Sequence, residues 1–173
     1  MKKVLQFAGL ISLVLAAVAF ILMLATPAVV LTSGNTQYIY KGVVAVFGSK
    51  EPITIAGINL GTAETKPSVL ALIGFILLII GLLIVIAGVV LPLLKVNALE
   101  KFAGILNLVA LVCFVLAGIF MFLVVPTFYA ANEADVPNSA SIGAGWVIGG
   151  ILAIAGGAFA ILPAAADFLG KKK

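Results

Sequence analysis

Histidine and arginine are both absent from this sequence, and each absence removes a class of chemistry. Histidine is the commonest general base near neutral pH and a frequent ligand of zinc, copper and haem iron. Arginine clamps phosphate and carboxylate groups through two parallel hydrogen bonds. A glycine-rich phosphate-binding loop is missing as well. We therefore expect a protein that is not an enzyme and that binds no cofactor and no metal ion.

Charged residues are also scarce, at 9% of the 173 residues, whereas hydrophobic residues make up 64%. Four segments carry no charge at all: residues 4–26, 69–94, 102–125 and 142–163. Such a run predicts a membrane-spanning helix, because about 20 residues at a rise of about 1.5 Å cross a hydrocarbon core of about 30 Å. The sequence therefore predicts an all-α membrane protein with one domain, 1–173, built from four transmembrane helices.

Lysine placement predicts how these helices are oriented. Short basic segments stay on the cytoplasmic side of a membrane, and most lysines flank the helix ends that share one side. We therefore expect both termini and the loop 95–101 in the cytoplasm, with the loops 27–67 and 126–141 outside. Membrane lipid is the expected partner and nucleic acid is not, because the chain has no basic stripe. The flanking lysines are Lys2, Lys3, Lys95, Lys101, Lys171, Lys172 and Lys173.

Cysteine occurs once, as Cys113 in the middle of the third uncharged segment. A single cysteine excludes an intramolecular disulfide, so the loops are not cross-linked. A small apolar packing residue is its expected role. The absence of Asn-x-Ser/Thr glycosylation sites, together with the short loops, favours a bacterial plasma membrane.

Small residues recur every seven positions in three of the predicted helices, which predicts a left-handed bundle. Asn107 falls on the same seam of the third helix, where it is expected to form an interhelical hydrogen bond or to line a polar cavity. The fourth helix has a second small face that includes Gly145 and Gly149. That helix is therefore either central in its own bundle or binds another protein. The repeating residues are Gly74, Gly81 and Gly88, then Ala103, Ala110 and Ala117, then Gly143, Gly150 and Gly157.

The first outer loop has the composition of β-structure. Residues 36–47 and 53–60 are rich in β-branched and aromatic side chains, and turn residues separate them. We expect an extracytoplasmic hairpin with an exposed edge, which is supported by a short strand at residues 127–129, by lipid headgroups or by the edge of a neighbouring subunit. Trp146, near the outer end of the fourth helix, is expected to be an interface anchor. The expected interaction surface consists of Tyr38, Tyr40, Val44, Val46, Phe47, Ile53 and Ile55.

Four helices, inside termini and a long β-rich first outer loop resemble claudin-like tetraspan proteins in topology. The tryptophan and cysteine pair that mark the first loop of claudins are absent here. The segments 40–48 (YKGVVAVFG) and 53–58 (ITIAGI) resemble the first outer loop of small four-span membrane proteins of Gram-positive-type bacteria. That resemblance implies the topology and brings no activity with it.

Three functions remain open. The favoured one is a structural or interaction subunit that self-associates or docks on partner proteins through its outer hairpin and glycine-rich helix faces. It would form a homo-oligomer or a hetero-complex with other membrane proteins. The second is a channel or transport-complex subunit whose neutral pore, lined by Ser12 and Asn107, lies between protomers. The third is an outer-face receptor or immunity-type protein that recognises a ligand with its loops.

Overall fold

Four long helices account for most of the structure. The computed structural model describes residues 2–55, 58–93 and 103–170, with side chains described for 7–52, 61–88 and 104–162. Each predicted span coincides with one long helix, and the predicted loop 95–101 lies outside the described residues. The long helices are α1 (Lys2–Ala25), α3 (Val69–Leu93), α4 (Ala103–Phe122) and α6 (Ala144–Gly170), and the short ones are α2 (Gly42–Phe47) and α5 (Val124–Ala131).

Each long helix is long and apolar enough to cross a membrane. Large apolar side chains point away from the neighbouring helices, and those of Phe7, Leu83 and Ile105 are 65%, 61% and 57% exposed. A water-soluble protein rarely exposes a large contiguous apolar surface, whereas lipid tails are as apolar as these side chains. The four helices are therefore consistent with a multi-pass membrane protein.

The four long helices form a ring of neighbours. Helix α6 packs against α4 and α1, α4 packs against α3, and α3 returns to α1 with the least extensive of the four contacts. Leu78, Phe114 and Met121 are fully buried between them. The centre of the ring is thus filled with large side chains.

In the described residues, five short strands form two sheets at the end of the bundle where α1 ends and α3 begins. The first sheet has the strand order β2-β1-β5 and the second is the hairpin β3–β4, with every neighbouring pair antiparallel. Residues 27–65 and 124–142, which carry these strands with α2 and α5, are called the cap below. The strands are β1 (Pro27–Ser33), β2 (Thr36–Lys41), β3 (Ser49–Ile55), β4 (Ile58–Thr65) and β5 (Ala140–Ile142).

The predicted pairing of residues 36–47 with 53–60 is wrong. Residues 36–41 pair with the preceding strand β1, and residues 42–47 form α2. The reason lies at Gly42, whose N–H donates to the carbonyl of Thr26 and whose α-carbon lies directly against the backbone of Met23. The chain must therefore leave the sheet at this residue. Strand β3 consequently pairs with β4 in a second hairpin.

Residues 127–129 belong to α5, so the strand considered there as one possible support of the hairpin does not form. The Thr127 hydroxyl donates to the carbonyl of Leu123, which immediately precedes this helix, at 2.8 Å. Strand β5 takes the place beside β1, with Val29 opposite Ile142. Helices α4 and α5 separate at Leu123 because Pro126 has no N–H to donate to the carbonyl four residues before it.

We predict that Gly118→Ala destabilises the bundle and that Gly88→Ala does not. A methyl group on Gly118 would lie 2.7 Å from the backbone oxygen of Gly150, whereas one on Gly88 would lie 3.6 Å from Asn107 Oδ1. Overpacking of the first kind costs about 1–3 kcal/mol. Thermal unfolding of both variants in one detergent measures the difference. Equal stability of the two would contradict the close approach of α4 and α6.

Candidate functional site

The hairpin β3–β4 stands apart from the rest of the cap. Its strands pair with each other along their length and have only marginal contacts with other described elements. Strands of 7 and 8 residues at about 3.3 Å per residue make the hairpin roughly 23 Å long. Glu51, Pro52, Thr62 and Ala63 are exposed. Because an isolated hairpin is marginally stable in water, contact with another molecule would stabilise this one.

The two edges of the hairpin differ in their capacity to pair with another strand. Pro52 lies opposite Thr62 and has no N–H to donate. Proline is accommodated in a strand where the N–H would point away from the neighbouring strand. Thr62 therefore also directs its N–H outward, from the free side of β4. Residues 58–63 contain neither proline nor charge, so β4 is the open edge and β3 the blocked one.

The charges of the hairpin lie at its base. Lys50 Nζ is 3.3 Å from Glu64 Oε1 on the opposite strand, and both side chains are exposed. Such a pair contributes at most about 1 kcal/mol. Residues 52–63 beyond it carry no charge. Another strand can therefore approach this part of the hairpin without like-charge repulsion.

Lys66 and Asn132 hold the base of the hairpin to α5. The Lys66 backbone N–H donates to Asn132 Oδ1 at 2.8 Å, and Asn132 Nδ2 donates back to the Lys66 carbonyl at 3.1 Å. The same Nδ2 donates to the carbonyl of Phe128 at 2.8 Å. The Asn132 amide thus pairs with the Lys66 backbone as a neighbouring strand would. These contacts are called the clamp below.

An ion pair adds to the clamp. Lys66 Nζ lies 2.6 Å from Glu133 Oε1. The hydrogen bond from Lys66 and its positive charge lower the pKa of the Glu133 carboxyl. The hydrogen bond to Glu133 and its negative charge raise the pKa of Lys66. The stabilisation from Glu133 is therefore lost as the pH falls through its lowered pKa, and that from Lys66 is lost as the pH rises through its raised pKa. The pair is intact at neutral pH and contributes little, because both groups are exposed.

A buried hydroxyl pair lies beside the clamp. Ser68 is fully buried, and its Oγ lies 2.7 Å from Thr127 Oγ1. Ser68 Oγ also accepts the N–H of Ala71 at 3.4 Å, as a residue that caps the start of α3. The Ser68 N–H donates to the carbonyl of Ala45 at 2.8 Å. Ser68 therefore ties α2, α3 and α5 together at one level.

The predicted surface residues on the strands differ in exposure. Tyr38 on β2 is 54% exposed. Tyr40 is half-buried, with its ring centroid 4.9 Å from that of Phe128 on α5. Ile53 and Ile55 lie on β3 near the tip of the hairpin, and their side chains are outside the described part. The strand surface that is open to a partner thus includes Tyr38 and excludes most of Tyr40.

The predicted surface residues of 43–47 lie on α2 and form no strand edge, so that expectation is wrong. Phe47 is 53% exposed and Val44 is half-buried. Val46 is fully buried, because α2 turns this side toward the bundle. Their backbone is helical, so they do not present the extended edge on which another strand could pair.

The predicted seam of α3 and α4 lies where these helices meet. Ala110 and Ala117 are fully buried, and only the backbone of Ala103 is described. Asn107 is half-buried. The glycines of α3 face α4 in antiparallel order, with Gly74 against Ala117 and Phe120, Gly81 against Phe114, and Gly88 against Asn107.

Both small faces of α6 are covered within the chain. One face meets α4, and the two helices approach closely enough for the backbones of Gly150 and Gly118 to be in contact. The other face meets α1, where Ser12 donates to the carbonyl of Gly156 at 2.7 Å. In order along the chain, Gly143 contacts Pro27, Gly145 contacts Thr26, Gly149 contacts Met121 and Ala19, Gly150 contacts Phe122 and Gly118, and Gly157 contacts Leu111 and Phe114.

Trp146 is not the interface anchor that its position suggests. Its side chain is fully buried, and its indole nitrogen lies against Gly42 of α2. An interface anchor would keep its polar edge in the headgroup region. Trp146 instead packs against α2 at Gly42.

Three residues that join the elements of the cap differ in how clearly the sequence indicates their role: Asn132, Ser68 and Gly42. Ser68 follows Pro67 and precedes an apolar run, which is a recognisable helix-start signal. Gly42 interrupts a β-type run, which indicates a bend or a close backbone approach. Asn132 carries no local signal, because its partner Lys66 is distant in the sequence.

No known protein-family model matches the sequence, and a search of curated proteins finds no match. Within the described part of the chain, no group of three or more His, Cys, Asp or Glu residues is arranged to hold a metal ion. The class is therefore defined by the fold itself. It is a protein of four long apolar helices with a β-containing cap at one end.

We predict that Asn132→Ala frees the base of the hairpin. The Lys66 N–H then loses its acceptor, so amide hydrogen exchange in residues 64–68 accelerates by about tenfold, which corresponds to about 1.4 kcal/mol. Glu133→Gln removes only the exposed ion pair, so it changes the exchange rate of residues 64–68 far less. Exchange measured by mass spectrometry at neutral pH compares the two. Equal acceleration in both would contradict a clamp carried by the Asn132 amide.

Proposed function

We propose that the protein is a multi-pass plasma-membrane protein, a left-handed four-helix bundle with cytoplasmic termini and an extracytoplasmic cap. It acts as a structural subunit that self-associates through the hairpin and has no catalytic activity. The observation that supports this proposal best is the hairpin β3–β4, which stands apart from the rest of the cap and has one open, uncharged edge. The occupant of that edge is β4 of a second copy of this chain.

The distribution of small residues supports a contact through the cap and not through the helices. Glycine faces are the usual close-packing surfaces between membrane helices. Here both small faces of α6, and Gly74 and Gly81 of α3, are covered by helices of the same chain, whereas Gly88 is exposed. The expected docking through glycine-rich helix faces therefore has no support, and the hairpin takes that role.

A pore within one chain has no support either. The bundle interior is filled by side chains such as Phe114 and Met121. The hydroxyl of Ser12 is engaged with the Gly156 carbonyl, and Asn107 faces Gly88. Ser12 is fully buried within the chain, so a pore between protomers would lack the Ser12 lining of the channel hypothesis, and we favour the structural role.

Pairing of β4 with its copy is chemically reasonable on both strands. An antiparallel pair about a two-fold axis places the same edge of each chain in contact. Residues 58–63 are uncharged, so no like charges face each other there. Strand addition to an open edge gains backbone hydrogen bonds that a lone hairpin gives only to water.

We predict that Thr62→Pro weakens self-association at least about tenfold and that Thr62→Val leaves it unchanged. Proline removes the outward N–H of Thr62, whereas valine keeps it and favours a strand. A lost hydrogen bond of about 1–3 kcal/mol accounts for that factor. Native mass spectrometry of protein in lipid nanodiscs reads the oligomer directly.

Each other outcome contradicts part of this proposal. A wild-type monomer would overturn self-association. An oligomer that Thr62→Pro does not disturb would remove β4 as the contact. A different chain that co-purifies in fixed ratio and is lost only in Thr62→Pro would keep the open edge and replace the second copy as its occupant.

We predict that a cysteine placed at Ser33 is labelled by a membrane-impermeant maleimide in intact cells. Ser33 is exposed at the end of β1, which lies outside the cell in the proposed orientation. Lys3→Cys is labelled only after the cells are permeabilised. Wild-type protein is the control, because its single Cys113 is buried. Labelling at Lys3 and not at Ser33 in intact cells would invert the orientation.

A further inference from the structure

Helix α2 has one covered face and one exposed apolar face. Gly42, Ala45 and Val46 are buried against the bundle. Val43 and Phe47, one helical turn apart, are 47% and 53% exposed. Residues four apart lie on the same side of a helix. The exposed face of α2 is therefore apolar and points away from the protein.

The contacts of α2 place it at the outer end of the helix bundle. The carbonyl of Ala45 accepts the N–H of Ser68, which immediately precedes α3. The ring of Phe47 lies 5.1 Å from that of Phe75, edge to face. Phe75 is six residues into α3, about 9 Å along the helix axis. Helix α2 therefore straddles the level at which the apolar part of α3 begins.

This position also covers the least extensive contact of the bundle. Phe75 of α3 stacks on Phe20 of α1, with ring centroids 5.4 Å apart. Phe47 extends this aromatic series from α2, so three rings from three helices lie in succession over the α1–α3 contact. The rings bridge the two helices near their outer ends.

We propose that α2 is an interfacial helix whose face of Val43 and Phe47 inserts into the outer lipid leaflet over the α1–α3 contact. The inference rests on the proposed membrane insertion of the four long helices. Amphipathic interfacial helices bury their apolar face about 5–10 Å into the boundary between headgroups and acyl chains, and the Ser68 and Phe75 contacts hold α2 at the end of α3, where this boundary is expected. Lys41, exposed and directly before α2, would then extend its ammonium group toward the headgroups.

Depth-dependent fluorescence quenching by brominated lipids tests this placement. Three tryptophans are introduced one at a time into the full chain in nanodiscs: Leu83→Trp, Phe47→Trp and Tyr38→Trp. The native side chains are 61%, 53% and 54% exposed, so exposure is matched and only the expected surroundings differ. Trp146 is the only tryptophan of the native chain and is fully buried, so wild-type protein supplies the background to subtract.

The expected quenching differs at each position. Trp at position 83, near the middle of α3, is quenched most by bromine at the end of the acyl chain. Trp at position 47 is quenched at least about twofold more by bromine near the headgroup than by bromine at the chain end. Trp at position 38 is quenched by aqueous acrylamide and by neither lipid.

The outcomes separate this inference from the proposal beneath it. Absence of lipid quenching at position 83 would overturn membrane insertion itself. Quenching at position 83 without quenching at position 47 would overturn only the interfacial role of α2. Shielding of position 47 from lipid and acrylamide alike would assign that face to a protein partner. Lipid quenching at position 38 equal to that at 47 would mean that the whole cap lies on the membrane, which contradicts a specific role for α2.

Discussion

The close approach of α6 to both α1 and α4 is the constraint on which the rest of the structure depends. Between α6 and α4 the approach is backbone to backbone at Gly118 and Gly150. Toward α1, the Ser12 hydroxyl reaches the Gly156 carbonyl. In a lipid environment such contacts replace the hydrophobic effect that holds soluble bundles together. Helix α6 is thereby the shared neighbour that fixes α1 and α4 relative to each other.

The same approach positions the cap. Because the end of α1 lies beside the start of α6, the strands that follow and precede them, β1 and β5, continue side by side as one antiparallel pair. Gly42 then brings the chain back onto α1, above Trp146. The clamp of Lys66 and Asn132 joins the two loops a second time. The cap is therefore held at several points, and only the hairpin β3–β4 extends beyond them.

The exposed apolar residues of this molecule separate by position into groups with different expected neighbours. Those on the long helices, such as Leu83, face outward along the length of the bundle. Val43 and Phe47 lie at the level where α3 begins. The uncharged edge of β4 belongs to the hairpin, which has few contacts with the other described elements. Lipid tails, the lipid interface and a second protein chain are the three environments that match these positions.

The sequence by itself determined the four helices, because an uncharged run of some twenty residues has few other stable arrangements. It also determined the seven-residue spacing of small residues such as Gly81, since helix periodicity places them on one face. The tertiary structure decided what each face meets and how the loops pair. Residues 42–47 have a β-type composition yet form a helix, because the contact of Gly42 with Met23 and Trp146 outweighs a weak local preference. The pairing of Lys66 with Asn132 was decided in the same way, since contacts between residues far apart in the chain leave no periodic trace.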